Sequence, residues 1–400
     1  MQTPHRQADP AEGGVARRWI AQALAVLAAT VLLVLAALAT PAWFERHFLP
    51  EFFQSRPEQL RWLALVRVTG VVLGLLLLWP IGPRLGRWAA GKPPRDLALD
   101  ILPTLLAVVL ALPVSELLLR HLPWFSTHQL SRQSEPLRRR DPVTGWAYAE
   151  NRVGRGLLGG RMIEYAFDPA GHRVARGGDR VDYAAPSVLF VGESIITGHG
   201  LAYDETIPAQ VAARLGLQAA DLAVGGFATD QMYLRFQDEW PRFRQPRAVV
   251  ILFMPSLFHR NLERDRPHLA PDLTWRPASD APRLVQIAQR LVPYRSGREL
   301  SDAETMTRRA LAGMVASARA RGAVPLILVP DLAPETPEEQ VIRARVLAGL
   351  PYIRVSIDPT WHIPRNRHPD ARADAKLAQE VAGWLEAQGV RGAALRSPGG

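Results

Sequence analysis

Ser187-Val-Leu-Phe-Val191-Gly192-Glu193-Ser194-Ile-Ile-Thr-Gly198-His-Gly200 reads as a buried strand over Ser187 to Val191 that stops on a glycine-flanked turn. An unbroken apolar run closed by glycine fits a parallel strand covered on both faces. Further short runs at Leu222–Val224, Ala248–Phe253, Pro325–Val329 and Ile353–Ile357 predict strands. They alternate with helix-length amphipathic stretches at 207–215, 229–243, 302–321, 337–348 and 371–387. That alternation predicts an α/β domain with a mostly parallel sheet and helices on both faces. Ligands of such sheets bind outside the carboxyl ends of the strands, so the residues there come first.

Ser194 sits at the first of these ends. A serine on such a turn can be an exposed nucleophile whose own N–H faces a developing oxyanion, although Gly-x-Ser alone equally fits an ordinary N-cap or turn. The second end, Asp221-Leu-Ala-Val-Gly225-Gly226-Phe-Ala-Thr-Asp230-Gln231, carries glycines that allow close backbone approach and a further N–H donor, or simply a tight turn. Near the carboxyl terminus His362-Ile-Pro-Arg-Asn366-Arg-His368-Pro369-Asp370-Ala371 leads directly into an amphipathic helix. A histidine held there can serve as general base, and can equally be structural.

Together these three blocks, in this order over about residues 186–388, resemble the GDSL or SGNH hydrolase family. Gly192-Glu193-Ser194 looks like the family's Gly-Asp-Ser block with the acid one methylene longer. Gly200–Pro208, Gly226–Gln231, Gly145-Trp146 and Tyr165–Gly171 resemble the surroundings of those blocks in membrane-anchored bacterial members. The resemblance implies a flavodoxin-like three-layer domain. It makes Ser194 the nucleophile and first oxyanion donor, Gly226 the second donor and His368 the base. Two departures follow. Ser256 stands where the family has its oxyanion asparagine, and Asn261 is displaced by five positions, where it would cap or brace the loop. Arg365 and Asn366 stand where the family places the acid that orients the histidine. Asn366 can hold the ring through its carbonyl oxygen but cannot stabilise an imidazolium by charge. Asp358 is the alternative acid and His362 the alternative base.

The first third has a different character. Trp19 to Phe44 carries no charge and is long enough for a ~30 Å hydrocarbon layer; second and third apolar runs cover 62–81 and 97–119. Arg67 near the start of the second can snorkel, and Pro103 and Pro113 predict a kink in the third. Trp19, Trp43, Trp62, Trp79, Trp88 and Trp124 lie near the ends of the runs, as interfacial anchors do. Gly70 and Gly74 form a small-xxx-small step suited to close helix packing. The first run is too long, and too soon followed by others, for a cleaved signal peptide. Arginine and lysine at 6, 17, 18, 84, 87, 92 and 95 favour the amino terminus inside and the carboxyl-terminal domain outside the cytoplasm, with Arg138–Arg140 opposing. The expected organisation is a membrane anchor over 1–122, a β-rich lead-in over 123–185, the SGNH-like domain over 186–390 with a proline-rich insertion at about 254–301, and a disordered tail over 391–400.

Composition narrows the partners. The chain has 400 residues, a net charge of +10 and no cysteine. Nearly all the positive charge is arginine, with lysine only at Lys92 and Lys376, and it forms no stripe on one helix face. Nucleic acid is therefore not expected as a partner. The absence of cysteine removes a thiol nucleophile, and the scattered His199, His259 and His268 lack metal-ligand spacing, so no metal or other cofactor is expected. Arg260, Arg264 and Arg266 in the insertion either meet an anionic glycan or headgroup or solvate a loop. The mean hydropathy of −0.03 averages apolar spans with a polar domain. The expectation is an inner-membrane-anchored esterase or O-acyl transfer enzyme whose partners are the lipid bilayer and an acylated envelope glycan or lipid. A degenerate SGNH fold kept for binding is the alternative.

Overall fold

The computed structural model describes residues 10–49, 56–121 and 135–392, which fall into two compact units. Trp124, the start of the lead-in and residues 393–400 of the expected tail lie outside the described residues.

The first unit is helical: α1 (Pro10–Leu38), α2 (Pro41–His47), α3 (Arg56–Leu76), α4 (Gly82–Ala90) and α5 (Pro94–His121). Three segments, Gly13–Leu38, Arg56–Ala90 and Pro94–His121, are long and apolar enough to cross a membrane. The first helix ends at Leu38, short of the expected 44, because Thr40 starts a new one: its hydroxyl accepts the N–H of Trp43, and Pro41 occupies the first turn. The second runs on to Ala90, beyond the expected 81, through a π turn at Leu77–Ile81 that contains Pro80. The third continues as helix through Pro103 and Pro113. Gly70, Gly74, Gly82 and Gly86, spaced in multiples of four, face α1: their missing Cβ atoms would lie 3.5 Å from Ala36, 2.9 Å from Leu33, 3.2 Å from Ala25 and 2.8 Å from Gln22. The small-residue step thus packs helices within the chain. Arg67 donates from Nε to the Ala36 carbonyl at 2.9 Å, satisfying a carbonyl near the end of α1.

Residues Ala281–Tyr294 cluster with these helices. Their amphipathic helix α9 (Arg283–Leu291) begins on Glu116 of α5, whose two carboxylate oxygens accept the N–H groups of Arg283 (2.9 Å) and Leu284 (3.0 Å). Tyr294 ends the segment, stacked on His47 with ring centroids 5.2 Å apart. The stretch expected as one insertion over an end of the sheet therefore divides. It holds a 3-10 helix at Pro255–Leu262, the ribbon β9–β10 (His268–Leu269, Trp275–Arg276) and α9. It closes at Ser296, which caps α10 (Gly297–Ala320) five residues before the helix start read from the sequence.

The second unit is built on a five-stranded parallel sheet: β6 (Ser187–Val191), β7 (Gln218–Asp221), β8 (Pro246–Leu252), β11 (Val324–Asp331) and β12 (Tyr352–Ser356). The spatial order β7-β6-β8-β11-β12 is the flavodoxin-like 2-1-3-4-5 arrangement. Four strands fall within two residues of their expected positions. The second does not: Leu222–Val224 follows the strand, and pairing occupies Gln218–Asp221, whose polar and small residues hide the signal. The apolar run still lies alongside β6, with Leu222 donating to Phe190 at 2.9 Å and Val224 to Gly192 at 3.3 Å.

Alternate sheet residues Val188, Phe190, Val250, Leu252, Leu326 and Leu328 pack with Val211 and Leu215 of α7 (Ile207–Leu215) and with Leu377, Val381 and Leu385 of α12 (Ala371–Ala387). Helix α10 packs against β8 and β11, and α8 (Thr229–Glu239) and α11 (Pro337–Leu347) pack in turn against α10. Helix α8 stops before the expected 243 because Trp240-Pro-Arg242 tightens into a 3-10 turn.

The lead-in is a hairpin, β1–β2 (Arg138–Asp141, Gly145–Tyr148), and a three-stranded antiparallel sheet, β3–β4–β5 (Val153–Leu158, Arg161–Phe167, Arg173–Val174). Tyr148, Tyr165 and Phe167 are fully buried, so it packs as part of the second unit's interior. Beside it His172, with no exposed surface, lies 3.2 Å from Asp168 and 3.5 Å from Glu239. Burial opposes charge on this ring, but the two carboxylates outweigh it and raise its pKa, while Asp168 is drawn down to about 2 against its own burial by the same contact. A raised histidine pKa stabilises the fold below the unfolded value, and the contribution is lost as pH rises through the folded value. His172→Gln in the full chain should therefore lower stability by about 3–5 kcal/mol near pH 6. Thermal melts from pH 6 to 9 should show the gap to wild type narrowing; a constant gap would refute the charge assignment.

Candidate active site

In a 2-1-3-4-5 sheet the chain leaves β6 in one direction and returns on its other side at β8, opening a crevice at the carboxyl end of β6. Ser194 lies there as the first residue of the short helix α6 (Ser194–Thr197). Glu193 caps that turn, with Oε1 accepting the N–H of Ile195 at 3.0 Å. The histidine arrives from the far end of the chain. Asp370 caps α12 by accepting the N–H groups of Arg372 and Ala373, and the preceding residues close into a tight loop in which Ile363 donates to the His368 carbonyl at 2.9 Å.

The structure brings Ser194, His368 and Asn366 into one hydrogen-bonded chain. Ser194 Oγ lies 2.8 Å from His368 Nε2, and His368 Nδ1 lies 2.6 Å from Asn366 Oδ1. Asn366 Oδ1 also accepts the backbone N–H of His368 at 2.9 Å. That bond identifies the facing atom as the amide oxygen, so Nδ1 carries the ring proton and Nε2 offers its lone pair to Ser194. Burial holds the His368 pKa below its ordinary value, favouring the neutral ring. His199 stacks obliquely on it, ring centroids 4.9 Å apart, and is itself pushed down to about 4 by burial.

Two further charges, not singled out together from the sequence, meet the serine. Ser194 Oγ donates to Glu193 Oε2 at 2.5 Å, and Arg260 Nη1 donates to the same oxygen at 3.2 Å. Glu193 is buried and Arg260 nearly so. Burial alone would raise the Glu193 pKa, but Arg260 and His368 hold it below the usual carboxylate range.

The lead-in fixes the rest of the crevice. The Gly225 carbonyl accepts bonds from Arg138 Nη1 and Trp146 Nε1, both at 3.0 Å, and the Gly225 N–H donates to the Tyr148 hydroxyl at 2.8 Å. A trans peptide directs its N–H opposite its C=O, so this clamp sets the direction of the Gly226 N–H. Gly225 itself adjoins the serine: a Cβ there would lie 3.7 Å from Ser194 Cβ. Arg173, fully buried, donates to the carbonyls of Thr197, Gly198 (2.8 Å) and Leu201 (2.6 Å), and Tyr165 accepts the N–H of Gly200 at 2.8 Å. The available signal was the aromatic density of two short strands, too apolar for a surface linker.

Asp358 and His362 line the same cavity as Asn366, and the remaining candidates belong to the loop after β8. Ser256 is half-buried in the first turn of the 3-10 helix after β8. Asn261 braces that helix to its neighbours, accepting the N–H of Thr229 at 2.9 Å and donating to Thr307 at 3.0 Å. Asp358 accepts the N–H and hydroxyl of Thr360, at 2.8 and 2.7 Å. His362 Nδ1 lies 3.3 Å from the Ile363 carbonyl. Arg266 is buried against Gln231 and the Arg260 carbonyl.

No protein-family model and no curated protein matches this sequence. Among solved structures the chain is similar to an acetyl xylan esterase from the rumen bacterium Butyrivibrio proteoclasticus, at 11% identity and a TM-score of 0.33 over 52% of this chain and 66% of that one. It is similar to a GDSL-like lipase from Bacteroides thetaiotaomicron, at 17% identity and a TM-score of 0.31 over 50% and 88%. A salicylyl-acyltransferase of a tetracycline biosynthetic pathway aligns at 17% identity and a TM-score of 0.30 over 53% and 57%. The chain thus spans just under two thirds of the first of these and less of the last. The α/β class rests on the strand order described above.

Gly226 has φ +84°, and a Cβ there would lie 3.3 Å from Arg138 Nη1 and 3.5 Å from Trp146. Gly216 has φ +63° with nothing within 4 Å. Both alanine variants should pay about 1–2 kcal/mol of backbone strain. Gly226→Ala should melt below Gly216→Ala, because it also displaces the clamp; equal midpoints would show the clamp to be loose.

Proposed function

We propose that the second unit is an SGNH-type serine hydrolase or acyltransferase domain carried on a three-span membrane anchor. The observation that carries this reading is the hydrogen-bonded sequence Ser194–His368–Asn366 at the switch point of a flavodoxin-like sheet. Ser194 Oγ attacks an ester carbonyl while its proton passes to His368 Nε2. The N–H groups of Ser194 and Gly226 receive the oxyanion, with Ser256 as the third donor. His368 returns the proton to the departing alcohol, leaving an acyl-serine. Water or an acceptor hydroxyl then attacks that ester, again giving its proton to His368, which returns it to the departing Ser194 Oγ and restores the free enzyme. Asn366 keeps the ring in the tautomer that can accept.

The three apolar helices support placement in a bilayer, and the arginine distribution supports the catalytic domain on the extracytoplasmic side of a bacterial inner membrane. A tethered esterase meets substrates fixed near the membrane, so an acylated envelope glycan or lipid is the proposed substrate. A second reading, a binding protein that has lost catalysis, is favoured by one observation: the group behind His368 is a neutral amide.

Purified full chain in detergent should label with a fluorophosphonate probe, and Ser194→Ala should abolish labelling; no Ser194-dependent labelling together with no turnover of acetyl esters would favour the binding reading. A carboxyl-terminal reporter should be active only in the extracytoplasmic form, and activity only in the cytoplasmic form would reverse the orientation.

A further inference from the structure

The hydroxyl of Ser194 has one proton and two acceptors, Glu193 Oε2 at 2.5 Å and His368 Nε2 at 2.8 Å. Since Nδ1 must donate to Asn366, a neutral His368 needs that proton at Nε2, and a carboxylate at Glu193 needs it on the other side. The two bases are thus coupled through a single hydrogen. Asn366 holds the ring but brings no charge, so the imidazolium formed during acylation lacks the anion that normally stands behind it. Glu193 is buried and fixed from three sides: by Ser194, by the N–H of Ile195 and by Arg260.

Resting on the serine-hydrolase reading, we infer that Glu193 supplies the anionic charge of the catalytic machinery, placed on the nucleophile's side of His368 instead of behind it, with Arg260 as the residue that positions it. When the Ser194 proton moves to Nε2, the imidazolium acquires a carboxylate neighbour across Oγ. The carboxylate also opposes negative charge on Oγ itself, which strengthens the oxygen as a nucleophile, while the Arg260 guanidinium keeps the buried pair near neutral overall. The charges that act on His368 include Glu193, two residues past β6, and Arg260, in the 3-10 helix after β8, while His199, a neutral ring from the loop after α6, lies against it.

The test is the pH dependence of Ser194 phosphonylation in the full chain, for wild type, Glu193→Gln, Arg260→Gln, Asn366→Asp and the double variant Glu193→Gln/Asn366→Asp. Glu193→Gln keeps the cap on Ile195 but removes the charge. It should slow labelling by on the order of 10²–10⁴, the range up to that of an acid-to-amide change in a serine triad. It should also move the acid limb of the rate profile to lower pH, because the imidazolium loses its anion. Adding Asn366→Asp to that background should recover at least about tenfold of the rate and bring the limb back up, an effect within reach of restored ring charge. Arg260→Gln should move the limb the other way, upward, and this variant decides the matter if Glu193→Gln does not fold. An unmoved limb in both single variants, or a slow Glu193→Gln that Asn366→Asp does not rescue, overturns the inference and leaves Glu193 as a cap. Absence of labelling in wild type would instead remove the hydrolase reading itself.

Discussion

A parallel sheet leaves backbone polar groups unpaired where its strands end, and every one that is buried there needs a partner. In this chain those partners come from upstream. Arg138 and Trp146 donate to the Gly225 carbonyl and Tyr148 accepts the Gly225 N–H, while Arg173 and Tyr165 hold the loop from Thr197 to Leu201. Ser194 stands between these two held segments. The lead-in is therefore part of the site's construction, and the crevice owes its shape to hydrogen-bonding side chains with planar, rigid heads. Arginine suits the task because one guanidinium can satisfy several carbonyls at once.

The same property changes how the basic composition is understood. Much of the charge sits on surface arginines, yet Arg173 and Arg266 are among the most buried side chains in the second unit. Each has a polar partner and an aromatic face: Arg173 lies 4.7 Å from the Tyr165 ring and Arg266 5.6 Å from the Trp146 ring. A buried cation without such partners would be severely destabilising. The arginines of the insertion thus take separate roles, Arg266 bracing the loop and Arg260 meeting Glu193.

What the sequence discloses is what is local or periodic. Strand β6, helices α7 and α12, and the turns carrying Ser194 and His368 all follow from apolar runs, glycine and proline within a few residues. Asn366 was legible because it acts two residues from its target. Strand β7 was not, because two alanines between polar neighbours carry no strand pattern. The Glu193–Arg260 pair spans 67 positions, and no local rule connects a capping acid to an arginine in a distant loop. The contact of α9 with α5 was hidden for a similar reason: a proline-rich stretch reads as an insertion over the sheet until its helix is seen to start on the Glu116 carboxylate.

The two departures from the GDSL or SGNH pattern that the sequence resembles are physically linked. An aspartate at 366 together with the carboxylate at 193 would place anions on both sides of one buried imidazole. Either would be tolerable alone; both would add like-charge repulsion in a site of low dielectric, which raises a carboxyl pKa and disfavours the ionised form. With Glu193 already held ionised by Arg260, an amide at 366 performs the orienting task without the second charge. The longer acid matters as well. From the cap position before α6, Glu193 sends one oxygen to Ile195 and the other to both Ser194 and Arg260. A lengthened acid in the first block and a neutral amide in the last are therefore consistent with a single redistribution of charge around His368.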